Sequence, residues 1–147
     1  MNVYTKRARQ AFSLIELMIV IVIMAVLAAI IIPKFQDQSR RSKEAALKSD
    51  LSQVRTAIAT FQADTGFYPK ALVDLAATAA PTQGYDTAAS LQTITATNWH
   101  GPYITGSLPT DPVSASAFTY AIIAPGVGNV TSSATGNDLA GSAFTTY

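Results

Sequence analysis

One acidic residue lies inside an otherwise apolar stretch of the chain. From Phe12 to Ile32 there are 21 residues, and only Ser13 and Glu16 among them are polar. A carboxylate in hydrocarbon is costly, so an ionisable group at this position indicates a functional role and requires a partner. No Lys, Arg or His lies between Phe12 and Pro33, so the neutralising charge must come from elsewhere. A new α-amino group would serve, if the chain were cut just before Phe12.

Groups suited to enzymatic chemistry are sparse in the rest of the chain. The 147 residues include no Cys and one His, and they contain no GxSxG, HExxH or glycine-rich phosphate motif. Disulfides, thiolate metal sites and a Cys nucleophile are therefore excluded. We interpret His100, which follows Trp99, as a structural or surface residue. The sequence predicts that the protein is not an enzyme.

The apolar run is long enough to cross a membrane. Its 21 residues, at about 1.5 Å each in a helix, extend roughly 31 Å, which matches a bilayer core of about 30 Å. Lys6, Arg7 and Arg9 precede the run, and this placement predicts a cytoplasmic N-terminus. A secretory signal cut after residues 26–28 and an uncleaved anchor are the alternatives. The run is longer than the usual apolar core of a signal peptide.

A short motif marks the start of the apolar run. Residues Ala11 to Glu16 read A-F-S-L-I-E, and a long polar helix is predicted after the run. This pattern resembles the prepilin signature of type IV pilins and type II secretion pseudopilins. The resemblance implies that prepilin peptidase cuts between Ala11 and Phe12 and methylates Phe12, although Ala11 stands where the family usually has Gly. It also implies that Glu16 neutralises the amine of Phe12 on a neighbouring subunit and so sets axial register.

The resemblance also carries a function and a set of partners. It implies a structural subunit, a pilin or major pseudopilin, of a type IV pilus-like helical filament. The implied partners are identical subunits, prepilin peptidase, an inner-membrane assembly platform and, before assembly, membrane lipid, with no specific nucleic acid. The precursor would lie in the bacterial inner membrane and the product in a periplasmic or extracellular filament. The alternative is an uncleaved, membrane-anchored periplasmic binding module, which would not require Glu16.

The apolar run is predicted to continue into an amphipathic helix. Pro33 lacks an N–H, so we expect a kink there, with a helix end as the alternative. Glu44 and Lys48 are predicted to pair on the solvent side of the helix, and Gly66 is predicted to end it. Between Pro33 and Gly66, apolar residues recur at spacings of 4, 3, 4 and 3. This pattern predicts one buried stripe, formed by Leu47, Leu51, Val54, Ile58 and Phe61.

The residues after the helix predict a small β-rich head. The predicted elements are a short helix at 71–77, a surface loop at 78–97, strands at 103–104 and 118–123, a turn at 125–129, and weaker strands at 127–132 and 143–147. The predicted fold class is α+β and pilin-like, with a long N-terminal helix, half transmembrane and half amphipathic, packed on a small antiparallel sheet. The predicted segments are a cleaved basic leader (1–11), a transmembrane assembly helix (12–33), an amphipathic helix (34–66) and a globular head (67–147).

The residues near the C-terminus, from 113 to 147, are considered as a calcium site. Residues 99–104 and 108–112 look like the layout of the major pseudopilin of type II secretion, a group in which the C-terminal loop often holds calcium. The resemblance implies Asn137 and Asp138 as candidate ligands. Ca²⁺ takes six to eight oxygen ligands, yet Asp138 is the only acid between Val113 and Tyr147, with Asp111 just before them. The sequence therefore predicts no cofactor and leaves Asn137 and Asp138 as calcium candidates.

Overall fold

The fold consists of one long helix followed by short strands. The computed structural model describes residues 13–147 and divides them into two compact units between residues 39 and 40. Helix α1 runs over Leu14–Thr65. The described strands are β1 (Tyr68–Pro69), β2 (Gln83–Tyr85), β3 (Leu91–Thr93), β4 (Thr119–Tyr120) and β5 (Val130–Thr131), with 3₁₀ helices at Leu72–Ala76, Ala96–Asn98 and Phe144–Thr146. The predicted α+β class is confirmed.

The apolar part of α1 is exposed along its whole described length. The helix contains an 18-residue window that is apolar enough to cross a membrane, and none of that window is buried. Every Leu, Ile, Val and Met from Leu14 to Ile32 is exposed. Pro33 lies inside the helix, so the alternative of a helix end at this residue is wrong. The kink at Pro33 stays a prediction.

The amphipathic part of α1 supplies one side of the head's core. The five residues of the predicted stripe are at most 4% exposed, which confirms the predicted face. Full burial of such side chains contributes about 1.5–3 kcal/mol each. The helix ends as predicted, since Gly66 has a φ of +81° and donates its backbone N–H to the Gln62 carbonyl. The stripe packs against Leu75, Ile94, Ile104, Phe118, Val130, Ala134 and Phe144.

Two small antiparallel sheets complete the head. Strands pair in the order β1-β2-β3 in one sheet, and β4 pairs with β5 in the other. The Tyr120 hydroxyl donates to the Pro69 carbonyl at 2.7 Å and so joins the sheets. The predicted turn at 125–129 is confirmed by a bond from the Asn129 N–H to the Gly126 carbonyl. In this turn Gly128 has a φ of +88°, and a Cβ there would lie 2.2 Å from the Tyr68 ring.

Several predicted elements of the head are wrong. The predicted loop at 78–97 contains β2 and β3, whose three-residue lengths are too short for a periodic pattern. Residues 103–104 form no strand, because both of their N–H groups donate to the Leu75 carbonyl. The strand predicted at 118–123 is limited to Thr119–Tyr120. The strand predicted at 143–147 is instead a 3₁₀ helix.

Candidate functional site

Glu16 lies in the first turn of α1. The helix begins at Leu14, and the Leu17 N–H donates to the Ser13 carbonyl at 3.2 Å. The Glu16 side chain is exposed and belongs to the same exposed apolar surface as its neighbours. Ala11 and Phe12, the predicted cleavage and methylation residues, lie outside the described residues.

The carboxylate of Glu16 has no cationic partner within the described part of the chain. The two ion pairs found there join Arg40 to Glu44 and His100 to Asp64. A carboxylate in the first turn of a helix gains about 0.3–1 kcal/mol from the helix dipole. A charge in the middle of a bilayer costs about 2.5–3.5 kcal/mol on insertion scales. At the middle of a bilayer the helix dipole would offset only part of this cost, and Glu16 lies toward one end of the apolar run, where the cost is smaller.

A polar cluster surrounds His100 at the C-terminal end of α1. His100 Nδ1 lies 3.5 Å from Asp64 Oδ2, and the Tyr103 hydroxyl donates to the same oxygen at 2.9 Å. Burial raises the pKa of Tyr103, even though the His100 N–H donates to its hydroxyl. The His100 side chain is 70% exposed, and the Phe61 ring meets the Tyr103 ring edge-on at 5.4 Å. The cluster joins the 98–104 segment to the helix, and the structure places His100 at the surface as interpreted.

Asp138 accepts hydrogen bonds from three donors of its own segment. Its Oδ1 accepts the backbone N–H groups of Ala140 and Ser142, and its Oδ2 accepts the Tyr147 hydroxyl. The bond from Tyr147 is the main reason that the pKa of Asp138 lies below its ordinary value. The Asn137 carbonyl accepts a hydrogen bond from the Arg40 guanidinium. Within residues 13–147 no group of three or more acidic, His or Cys side chains is arranged to hold a metal.

Asp111 is fully buried and was not singled out by sequence reasoning as a structural residue. Its Oδ1 accepts the N–H groups of Val113 and Ser114, and its Oδ2 accepts the Ser132 hydroxyl. Burial acts to raise the pKa of Asp111, but its hydrogen bonds, led by that from the Ser132 hydroxyl, outweigh this effect and lower the pKa below its ordinary value. Two further donors to Oδ2 are the backbone N–H groups of Ser133 and Ala134. Asp111 thus joins two loops through five donors.

Charged residues of α1 contact the C-terminal segment, which we define as residues 130–147. Glu44 is buried and accepts the Leu139 N–H at 3.0 Å. The predicted pair of Glu44 with Lys48 is therefore wrong, because Glu44 faces the head and bonds to Arg40 at 3.3 Å. Lys48 Nζ lies 4.7 Å from the centroid of the Tyr147 ring. The spacing of these residues, next to the buried stripe, is the sequence signal that could have revealed this contact.

Two family models match adjacent parts of the chain. Residues 6–32 match the prokaryotic N-terminal methylation motif. Residues 34–143, most of the remaining chain, match the type II secretion system protein G model. Together the two matches cover the exposed apolar segment, the amphipathic helix and nearly all of the head.

Individual relatives include type II secretion system proteins and a type IV fimbrial protein. The type II secretion system core protein G of Aeromonas hydrophila is 26% identical over 104 residues, 67% of this chain and 73% of that protein. The core protein G of Pseudomonas aeruginosa is 31% identical over 64 residues, 44% of this chain and 45% of that protein. The type IV major fimbrial protein FimA of Dichelobacter nodosus is 47% identical over 55 residues, 37% of this chain and 35% of that protein. The match thus spans about a third of the fimbrial relative's length. No solved structure matches the chain.

Proposed function

Because the chain belongs to the type II secretion system protein G family, we propose that it is a structural subunit of a type IV pilus-like helical filament. The family match over residues 34–143 favours a major pseudopilin over a fimbrial pilin. A structural role also agrees with the His100 cluster, whose members link a loop to the helix. In this proposal the protein is not an enzyme, and its work is to assemble.

The segments of the chain then take separate roles. Residues 1–11 form a leader that prepilin peptidase removes, and Phe12 becomes the methylated N-terminal residue. Residues 12–33 anchor the precursor in the inner membrane and later form the filament interior. Residues 34–66 connect this segment to the head, residues 67–147, which lies in the periplasm or on the filament surface. An inner-membrane platform transfers the subunit from lipid to filament.

The observation that carries the proposal is the exposed apolar surface of α1 with Glu16 in its first turn. Nineteen residues from Leu14 to Ile32 present no buried large side chain, so water cannot be the final surroundings of this surface. Lipid satisfies the apolar side chains but not the carboxylate. A neighbouring subunit satisfies both, since its helix buries the apolar surface and its Phe12 amine neutralises Glu16. Assembly therefore relieves a penalty that membrane insertion leaves in place.

Mass spectrometry of the mature N-terminus tests this function. We expect protein isolated from cells that contain prepilin peptidase to begin at Phe12 with one added methyl group. Protein from cells without the peptidase should retain Met1 and remain in the membrane fraction. The fraction of chains that begin at methylated Phe12 can then be compared between the assembled and membrane-bound pools of the same culture.

The opposite result would favour a different class of protein. If the chain retains Met1 in the presence of the peptidase, no amine is generated next to Glu16 and the filament proposal loses its basis. An uncleaved membrane-anchored binding module would explain that result. A cut after residues 26–28 would instead indicate secretion through an ordinary signal peptide.

A further inference from the structure

The C-terminal segment is the part of the head in which a calcium ion would be expected from the resemblance to the major pseudopilin. Calcium needs six to eight oxygen ligands, including carboxylate oxygens with free lone pairs. Whether the residues present fit such an ion can be tested from their existing bonds. Asp138 and Asp111 are the aspartates available to this segment. The Glu44 carboxylate of α1 also reaches it, but it already accepts the Leu139 N–H and pairs with Arg40.

The carboxylates of the two aspartates already accept hydrogen bonds from donors of the chain. Asp138 accepts two backbone N–H groups and the Tyr147 hydroxyl. Asp111 accepts four backbone N–H groups and the Ser132 hydroxyl. A carboxylate has about four lone-pair sites, so Asp111 has no free site and Asp138 has about one. A calcium ion would have to displace donors that would then be left without partners.

Three backbone oxygens of the segment accept hydrogen bonds from cations of α1. The Arg40 guanidinium donates to the Asn137 carbonyl. The Arg55 guanidinium donates to the Val130 carbonyl at 2.9 Å and to the backbone oxygen of Tyr147. These carbonyls are the remaining type of oxygen that a calcium ion could use. Each is directed toward a positive group of α1 instead.

The electrostatics of the segment also disfavour a divalent ion. Lys48 lies over the Tyr147 ring, and Arg40, Lys48 and Arg55 are spaced along the same helix. Lysine is charged throughout the neutral range, and hydrogen bonding to Tyr147 raises the pKa of Lys48 further. A divalent cation at Asp138 would be repelled by the charge of Lys48, which already acts on that carboxylate.

We infer that the C-terminal segment is held to α1 by Arg40, Glu44, Lys48 and Arg55, and is closed on itself by the Asp138–Tyr147 bond, in place of a calcium ion. The three cations of the helix provide the positive charge, and the chain's own N–H and O–H groups provide the donors for the carboxylates. The head is accordingly complete without metal. This inference concerns the folding of the head and does not depend on filament assembly.

Thermal unfolding of the full chain in detergent, with millimolar CaCl₂ or with EGTA, tests the inference. Circular dichroism in the aromatic region follows the head, which contains the single Trp. We expect the Tm to differ between the two conditions by less than about 1 °C, because no site binds the ion. A site filled at a hundred times its dissociation constant would raise the Tm by roughly 10–20 °C. A calcium-dependent rise of that size, abolished in Asp138→Asn, would overturn the inference.

A tyrosine variant tests the bond between Tyr147 and Asp138 that we infer stands in place of a calcium ion. Tyr147→Phe removes the hydroxyl bonded to Asp138, and we expect it to lower the Tm by about 4–8 °C, equally with CaCl₂ and with EGTA. Tyr85→Phe is the matched control, since the Tyr85 hydroxyl has no hydrogen-bond partner among the described residues, and its Tm should not change.

Terbium luminescence of the unmodified chain tests for an ion site without any variant. Absence of sensitised emission supports the inference, and saturable emission that calcium competes away contradicts it.

Discussion

Glu16→Gln should insert normally into the membrane and fail to give filaments. Removing one member of a buried charge pair costs about 2–5 kcal/mol, because the partner amine is left without a counter-charge. A loss of about 3 kcal/mol raises the concentration needed for assembly roughly a hundredfold. Insertion should be unaffected or improved, because the substitution removes a charge from the apolar run. The measurement is the subunit content of the sheared filament fraction relative to the membrane fraction.

The choice of Gln separates two roles for Glu16. A Glu or Gln three residues after a Ser can cap a helix start equally well, and Ser13 precedes Glu16 by three residues. If Glu16 acted only through such a cap, Glu16→Gln would assemble normally and Ser13→Ala would be defective. We expect the reverse result. Normal filament yield from Glu16→Gln would refute the charge pairing.

Asp111→Ala should strongly destabilise the head. The substitution leaves four backbone N–H groups and the Ser132 hydroxyl without their acceptor, in a site where Asp111 is fully buried. Stranding several donors of a buried charged acceptor costs about 3 kcal/mol or more. The measurement is the free energy of unfolding of the full chain in detergent, obtained from urea titration.

Asp86 provides the control for this loss. Its carboxylate also accepts two backbone N–H groups, from Ala88 and Ser90, and the side-chain amide of Gln92, but the two backbone bonds are exposed to water. Asp86→Ala should therefore lower the free energy of unfolding much less than Asp111→Ala, because water can replace the lost acceptor. An equal decrease in the free energy of unfolding for the Asp111 and Asp86 variants would contradict the prediction, because it would mean that burial does not increase the contribution of the Asp111 hydrogen bonds.

The parts of the fold that could be predicted are those with a repeated signal. The stripe from Leu47 to Phe61 repeats over four helical turns, so each residue supports the assignment of the next. The helix end is marked by Gly66, whose positive φ is a property of the residue itself. The turn at 125–129 contains two glycines and a proline, which restrict the backbone locally.

The parts that could not be predicted depend on contacts distant in sequence. Strands β2 and β3 have three residues each and pair through backbone atoms, and their sequences, Gln-Gly-Tyr and Leu-Gln-Thr, show no alternation of apolar and polar residues. Ile104 is buried like a strand residue, but its N–H donates to the Leu75 carbonyl. Local pattern cannot distinguish that bond from a sheet ladder.

The same distinction between local signals and distant contacts applies to the candidate site. Glu16 could be identified from sequence because a charge in an apolar run is a local contrast. Its pairing with Phe12 stays a prediction, since the partner belongs to another copy. Glu44 was assigned to the solvent side because i,i+4 spacing suits Lys48. The Leu139 N–H, 95 residues later, decides its actual direction.

Disulfide cross-linking within filaments tests the proposed pairing most directly, because the chain contains no Cys of its own. If Phe12 of one copy lies beside Glu16 of the next, then the residues seven positions further along each helix, Ile19 of the first copy and Ile23 of the second, lie on the same two facing surfaces. We expect co-expressed Ile19→Cys and Ile23→Cys subunits, each with its own tag, to form covalent mixed dimers in filaments. Co-expressed Ile19→Cys and Ile30→Cys subunits should not, since seven further helical residues add about 10 Å and a disulfide requires Cα atoms within about 7 Å. Filaments that contain both Ile19→Cys and Ile23→Cys subunits but give no mixed dimer would contradict the account.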